Sequence, residues 1–261
     1  MRVSARCKLL LPGLVFLALL GGCRAPALRV PPAAPAQPPP SPTQAPQLGT
    51  PYEIVPQASL LTILVYRGGA LASAGHNHVI ASHDLSGTIY VPAAILAGSF
   101  EIHVPVATLT VDEAALRAQQ PAAEFPADVS ESAKEGTRHN MLGEALLDAQ
   151  HSPEIVLRSL NLTAVSGAAA AADSGTVQAQ VQSSVRGQLR SFTVPVHYRL
   201  AADGSLEASG EFPLRQSELG LTPFSAMLGA LQVQDEMRIR FRIVAHAAAR
   251  RAAPSGSRGG E

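Results

Sequence analysis

Two histidines, His76 and His78, have the side-chain type and spacing that most directly suggest chemistry. They follow a glycine-rich segment, residues 68–75. In a β-strand, residues two apart point to the same face, with Cα atoms roughly 6.5 Å apart. Two neutral imidazoles placed in this way can share a transition metal such as zinc, copper, nickel or iron. A closed metal site needs further ligands, and His139 and His151 are the candidates.

The same histidines allow two other interpretations. Their imidazoles could orient the polar head group of a ligand through hydrogen bonds, or they could lie at the mouth of a barrel in contact with water. No cysteine ligand and no second acid at a fixed spacing strengthens the metal interpretation. His76, His78 and His139 are therefore retained as candidates for a head-group site or a metal site.

A third residue with its own chemistry, Cys23, ends the N-terminal segment. Basic residues come first, followed by an apolar run over residues 9–20 and two glycines directly before the cysteine. This order is typical of an export signal, and the run is too short for a transmembrane helix, which needs about 20 residues. The letters LGGC ending at Cys23 resemble a bacterial lipobox. The sequence predicts a signal peptide over 1–22 and a lipid, such as palmitate, on Cys23.

Cysteine usage supports this interpretation. The chain has two cysteines, and cleavage before Cys23 leaves that one alone, so the mature protein can form no internal disulfide. An unpaired thiol in an exported protein needs an explanation, and acylation provides one. We therefore expect an exported lipoprotein, held at a membrane by its lipid and facing the periplasm or the cell surface. Arg24, rather than Asp, after the cysteine resembles the sorting pattern for the outer membrane in cells that have one, and the choice between inner and outer membrane stays open.

Two segments that we expect not to fold flank the central part of the chain. Repeated prolines after Cys23 remove backbone donors and favour polyproline II, so residues 23–50 are predicted to be a lipidated cysteine and its tether. At about 3.1 Å per residue, the tether could hold a domain up to roughly 80 Å from the bilayer. Residues 248–261 are expected to be a disordered tail. Residues 51–247 remain as one domain.

Alternation with a period of two dominates this domain and predicts an all-β fold. Eight or nine segments have one apolar and one polar face, as in a closed or nearly closed antiparallel barrel. The alternation fails between about 112 and 147, where we expect a short helix opening at Asp112 and a second one from an Asp128 cap to about Met141. The residues predicted to line the barrel lumen are Leu61, Ile63, Val65, Phe100, Ile102, Val104, Phe192, Val194, Val196, Phe212 and Phe241.

Composition and motifs argue against several functional classes. Twenty basic and twenty acidic residues balance, aromatic residues make up 4% and tryptophan is absent. This composition has neither the basic footprint nor the stacking aromatics of a nucleic-acid binder. The sequence contains no Gly-x-Ser-x-Gly, P-loop or dinucleotide fingerprint, and nothing completes a nucleophile triad. The prediction is a protein that is not an enzyme.

An ordered series of short motifs across 52–246 resembles one family, the YceI-like polyisoprenoid-binding proteins. The resemblance implies an extended lipocalin-like barrel of about eight strands with a short helical insertion, and a long isoprenoid or similar lipid as ligand in its lumen. The histidine-rich segment at 68–78 departs from the common family pattern. The motifs are YEI at 52–54, SGTIY at 86–90, VPVATL at 104–109, SPEI at 152–155, VRGQL at 185–189, FTVPV at 192–196, QSELGL at 216–221 and DEM at 235–237.

Three functions remain open at this point. The leading hypothesis is a lipid binder or carrier with His76 and His78 near the mouth of the barrel. The second is a metal-binding or redox-linked site on the same scaffold, and the third is a structural lipoprotein with a filled core, because small barrels can pack their own lumen. The expected partners are a small lipid and a membrane, with no nucleic acid. The oligomeric state is open, with a dimer among the options.

Overall fold

Strands with alternating faces form nearly all of the described chain. The computed structural model describes residues 46–167 and 170–248, so the signal peptide, Cys23, most of the tether and the tail beyond 248 lie outside the described residues. The strands are β1 (Thr50–Ile54), β2 (Leu60–Gly68), β3 (His78–Ser82), β4 (Ser86–Val91), β5 (Ser99–Pro105), β6 (Thr110–Val111), β7 (Glu154–Ala164), β8 (Ser174–Val185), β9 (Gln188–Leu200), β10 (Ser205–Arg215), β11 (Ser225–Ala226) and β12 (Leu231–Ala247).

Eight of these strands close an antiparallel barrel. Their order is β1-β4-β5-β7-β8-β9-β10-β12, and β12 pairs back with β1. The predicted all-β fold, an extended lipocalin-like barrel of about eight strands with a short helical insertion, is confirmed. Because the barrel is closed, none of these eight strands is an unpaired edge strand. Closure of this kind is a common way for an antiparallel sheet to avoid exposed edges.

On one side of the barrel, pairs of short strands take the place of single long ones. Strands β1 and β2 follow the same edge of β12 in succession, separated by the 3-10 turn Pro56–Ala58. In the next layer, β4 pairs with β1 and β3 pairs with β2. Beyond these, β5 pairs with β4 and β6 pairs with β3. We call the end of the barrel that carries Gly68, Glu154 and Leu231 the helical end, and the end that carries Val91 and Ala247 the far end.

The insertion between β6 and β7 contains α1 (Ala114–Arg117) and α2 (Glu131–Leu142), and α2 packs beside β6. The predicted cap of α2, Asp128, was wrong. Ser130 is the N-cap, because its hydroxyl accepts the backbone N–H of Ala133, whereas Asp128 lies two residues earlier and is exposed. No helix within 46–167 and 170–248 is long and apolar enough to cross a bilayer.

The insertion also covers part of the outer surface of the barrel. Leu64, Val79 and Ala81 point away from the lumen and pack in a small cluster with Leu116 and Phe125 of the insertion. Because side chains alternate along a strand, the residues between them, such as Ile63 and Ile80, point into the barrel. This covering layer thus fixes which face of β2 and β3 is inward.

Candidate functional site

The barrel encloses a large cavity of about 580 Å³. Its volume lies within the range of about 300–1,000 Å³ found for small-molecule sites. The wall is predominantly apolar. All eleven residues that the sequence predicted to line the lumen lie on this wall: Leu61, Ile63, Val65, Phe100, Ile102, Val104, Phe192, Val194, Val196, Phe212 and Phe241.

The cavity is elongated along the strands. On β8 its wall extends from Val177 to Val185, and eight residue steps of about 3.4 Å correspond to roughly 27 Å of strand. Alternating inward residues of the long strands β8, β9, β10 and β12 supply most of this length. An elongated apolar cavity is suited to a long hydrocarbon chain rather than a compact polar molecule.

Polar groups are concentrated at the helical end of the cavity. The polar residues that line the cavity at this end are Arg67, His76, His78, Thr137, Asn140, Ser183, Gln216 and Gln232. The side chains of His76 and Asn140 make no hydrogen bond to the part of the chain that the structure describes. At the far end, by contrast, the hydroxyls of Ser99 and Tyr198 donate to the carbonyls of Pro46 and Ala171. The helical end is therefore the place where a polar ligand atom would find free donors and acceptors.

His78 is held in position by a buried carboxylate behind the wall. Its Nδ1–H donates to Asp112 Oδ2 at 2.6 Å, and the side chain of Asp112 is fully buried. Asp112 Oδ1 also accepts Arg117 Nη1 at 2.6 Å and the backbone N–H of Val79 at 2.9 Å. Burial alone would raise the pKa of Asp112, but the hydrogen bonds from His78 and Val79 and the nearby cationic charge outweigh it and hold that pKa below its ordinary value.

This carboxylate determines which ring nitrogen of His78 is presented to the cavity. Because Asp112 fixes the proton on Nδ1, Nε2 of a neutral ring is an acceptor. Nε2 lies 3.2 Å from the hydroxyl of Thr137 on α2. The ring of His76 lies 6.1 Å away, centroid to centroid. The two imidazoles and the Thr137 hydroxyl therefore form a compact polar group at one end of an apolar tunnel.

Comparison with known proteins agrees with this architecture. A model of the YceI-like domain matches residues 52–245. The chain belongs to the YceI-like family.

Solved structures similar to this YceI-like chain are distant in sequence. BcnA of Burkholderia cenocepacia is 15% identical, with a TM-score of 0.51 over 73% of this chain and 98% of that one. A polyisoprenoid binding domain from Saccharophagus degradans, implicated in plant cell wall breakdown, is 9% identical, with a TM-score of 0.49 over 76% and 98% of the two chains. The Campylobacter jejuni YceI protein is 10% identical, with a TM-score of 0.42 over 64% and 82%. No curated protein matches. At these identities the likeness bears on the fold alone.

The YceI-like scaffold does not bring all the candidate histidines together. His76 and His78 both line the cavity, whereas His139 is exposed and lies off the cavity wall. Thr137 and Asn140 occupy the cavity face of α2, and His139, two positions after Thr137, points elsewhere at 3.6 residues per turn. His151 is exposed and bonded to Asp148 at 2.9 Å. Among the described residues, no group of three or more His, Cys, Asp or Glu side chains is arranged to hold a metal ion.

The sequence did not identify Asp112, Arg117 or Thr137 as parts of this site. The sequence predicts that a short helix opens at Asp112, whereas Asp112 has a left-handed φ of 54° and α1 begins at Ala114. Thr137 had one usable signal, since Ala133, Thr137 and Asn140 recur at helical spacing with small or polar side chains where a packed helix has large apolar ones. Such a face is typical of a helix that borders a cavity.

Proposed function

We propose that this YceI-like protein binds a long isoprenoid or similar lipid chain in the lumen of its barrel, as a carrier and not as an enzyme. The observation that carries the proposal is the elongated apolar cavity of about 580 Å³. Each buried methylene contributes about 0.8 kcal/mol, so the binding free energy of a hydrocarbon chain in this cavity would increase with the length of chain that is buried. The family resemblance of the sequence independently implies an isoprenoid-type ligand.

The polar group at the helical end suggests the orientation of the bound lipid. A ligand with its hydrocarbon chain between β8 and β12 would place its head group beside His76 and His78, the only histidines among the described residues that line the cavity. The unbonded side chains of His76 and Asn140, and the hydroxyl oxygen of Thr137 beside His78 Nε2, could then hydrogen-bond to that head group. This orientation leaves the apolar far end to the tail of the lipid.

The proposal places the protein outside the cytoplasm, on a membrane. Its support is the sequence pattern alone: the export signal over 1–22, the lipobox-like cysteine at Cys23 and the proline-rich tether. Metabolic labelling with palmitate tests this part by itself. The wild type is expected to incorporate the label and a Cys23→Ser variant to incorporate none, and equal labelling of the two would contradict lipid anchoring.

Lipid analysis of the full chain purified from a bacterial host tests the binding. We expect extraction of the purified protein to release a hydrocarbon-rich lipid that mass spectrometry detects. Val194→Trp, which adds a large ring to the cavity wall, should lose most of this lipid, whereas Thr193→Trp, on the neighbouring exposed position, should retain it. A wild-type protein that releases no lipid and takes up no added polyprenyl alcohol would rule out the proposal.

A further inference from the structure

Four large apolar side chains are exposed on neighbouring loops at the helical end. Leu71 is 41%, Phe224 37% and Met227 68% exposed, and Leu228 is fully exposed; we call these four residues the apolar rim. The loops are joined, because the backbone N–H of Leu71 donates to the carbonyl of Ala230 at 2.7 Å. The two loops that carry the rim therefore lie side by side at this end of the barrel.

The backbone conformation of the rim is not explained by turn formation alone. Met227, Leu228 and Gly229 follow one another with φ of 51°, 57° and 87°, in the hairpin turn that connects β11 to β12. Bulky residues rarely adopt this left-handed region, and turns that need it normally use Gly, Asn or Asp. Here the chain holds two apolar side chains in a strained turn and directs them at solvent, which points to a role for the side chains themselves.

Charge is absent from both loops. Neither residues 68–75 nor residues 221–234 contain a single Asp, Glu, Lys or Arg. Arg67 is a charged neighbour of these loops, and its Nη1 donates to the carbonyl of Gly75 at 2.8 Å. A surface with so little charge is unsuited to anionic head groups or to an ion-paired protein partner. It is suited to shallow insertion among the acyl chains of a neutral bilayer, where exposed Leu, Met and Phe are stabilised by burial.

The rim also merges with the wall of the cavity. Phe224 is a member of both, and Leu231, directly after the turn, lines the cavity as well. A hydrocarbon chain that leaves the lumen at this end would therefore meet apolar side chains rather than water. Moving a lipid through water exposes every methylene, so direct contact between the mouth and a bilayer removes the main barrier to exchange.

We propose that the apolar rim inserts into the surface of a lipid bilayer and sets the mouth of the cavity against the membrane. The role of this contact in lipid exchange rests on the proposed function, but insertion of the rim into a bilayer can be measured separately. The partner is the neutral, zwitterionic face of a bilayer.

Fluorescence of single tryptophans tests the insertion, since the chain contains no tryptophan of its own. The full chain carrying Leu228→Trp or Leu71→Trp is mixed with phosphatidylcholine vesicles that have bromine on their acyl chains. We expect emission from both variants to shift to shorter wavelength and to lose intensity. The matched control is Leu96→Trp, at an exposed leucine of the far end, whose emission should not change. If Leu228→Trp fails to fold because the strained turn does not tolerate it, Leu71→Trp still tests the insertion.

The outcomes of this experiment distinguish insertion from its alternatives. Equal quenching at Leu228 and Leu96, or none at either rim position, overturns the proposal. A shift that appears without vesicles and grows with protein concentration also overturns it, because a second copy then covers the rim. If the proposal holds, Leu228→Asp should slow lipid uptake from vesicles about tenfold without changing uptake from detergent. Quenching at the rim of a protein that holds no lipid would contradict the proposed function alone.

Discussion

Asp112 is a buried carboxylate that balances the buried guanidinium of Arg117 while it orients His78. Removing one partner of a buried pair leaves the other charge uncompensated, which costs about 3–5 kcal/mol. Asn tolerates the left-handed backbone of Asp112, so Asp112→Asn removes the charge without straining the chain. We expect urea denaturation at neutral pH to show a loss of about 3 kcal/mol. Asp128→Asn, an exposed site on the same insertion, is the control and should change little.

The same carboxylate predicts a pH dependence. Because its pKa is lower in the folded protein than in the unfolded chain, its contribution is complete above the unfolded value of about 3.9 and is lost as the pH falls through the folded pKa. The stability of the wild type and that of Asp112→Asn should therefore converge as the solution is acidified below about pH 4. A constant difference across this range would show that the charge of Asp112 contributes nothing.

His76 tests the role of the polar group at the cavity end. His76→Leu removes a donor and acceptor that has no protein partner within the described chain, so folding should be unaffected. We expect the affinity for a polyprenyl alcohol to fall by up to about tenfold, the equivalent of one hydrogen bond, and the affinity for squalene, which has no head group, to stay the same. His139→Leu, exposed on α2, should alter neither affinity. Equal loss for both lipids would mean that His76 supports the wall rather than a head group.

At the scale of elements, period-two alternation was sufficient to predict the strands and their inward faces. The pattern depends only on which neighbours are apolar, so Phe192, Val194 and Val196 could be assigned to the lumen from the sequence. It did not reveal that β1 and β2 pair in succession along β12, or that β4 pairs with β1 while β3 pairs with β2. Nor could it pair His78 with Asp112, 34 positions apart, because that contact depends on the path of the insertion.

The start of α2 shows a similar limit, and it can be tested. Two acceptors, Asp128 and Ser130, both lie before the helix, and spacing alone favoured the first; the structure assigns the cap to Ser130. Ser130→Ala should destabilise the protein by about 1 kcal/mol, whereas Asp128→Ala should stay within about 0.5 kcal/mol. The order of the two effects in chemical denaturation is the result to measure. The reverse order would mean that Asp128 caps the helix in solution.

At the scale of the whole molecule, the barrel leaves unfilled the space where a globular domain has its packed core. Side chains around an empty apolar cavity lack partners for dispersion contacts, and a bound chain would supply them. A ligand that binds only the folded state stabilises it by mass action, by about 2.7 kcal/mol when present at roughly one hundred times its Kd. The proposed lipid binding therefore predicts that the thermal stability of this protein depends on the lipid.

Removal of the lipid by organic extraction and refolding is expected to lower the Tm, and addition of a polyprenyl alcohol should restore it. Val194→Trp fills part of the cavity with its own side chain, so its Tm should respond much less to the same lipid. Thr193→Trp should respond as the wild type does, since it leaves the lumen unchanged. A wild-type Tm that is indifferent to the lipid, together with a stable Val194→Trp variant, would indicate a barrel whose cavity is closed by repacking in solution and not by a ligand.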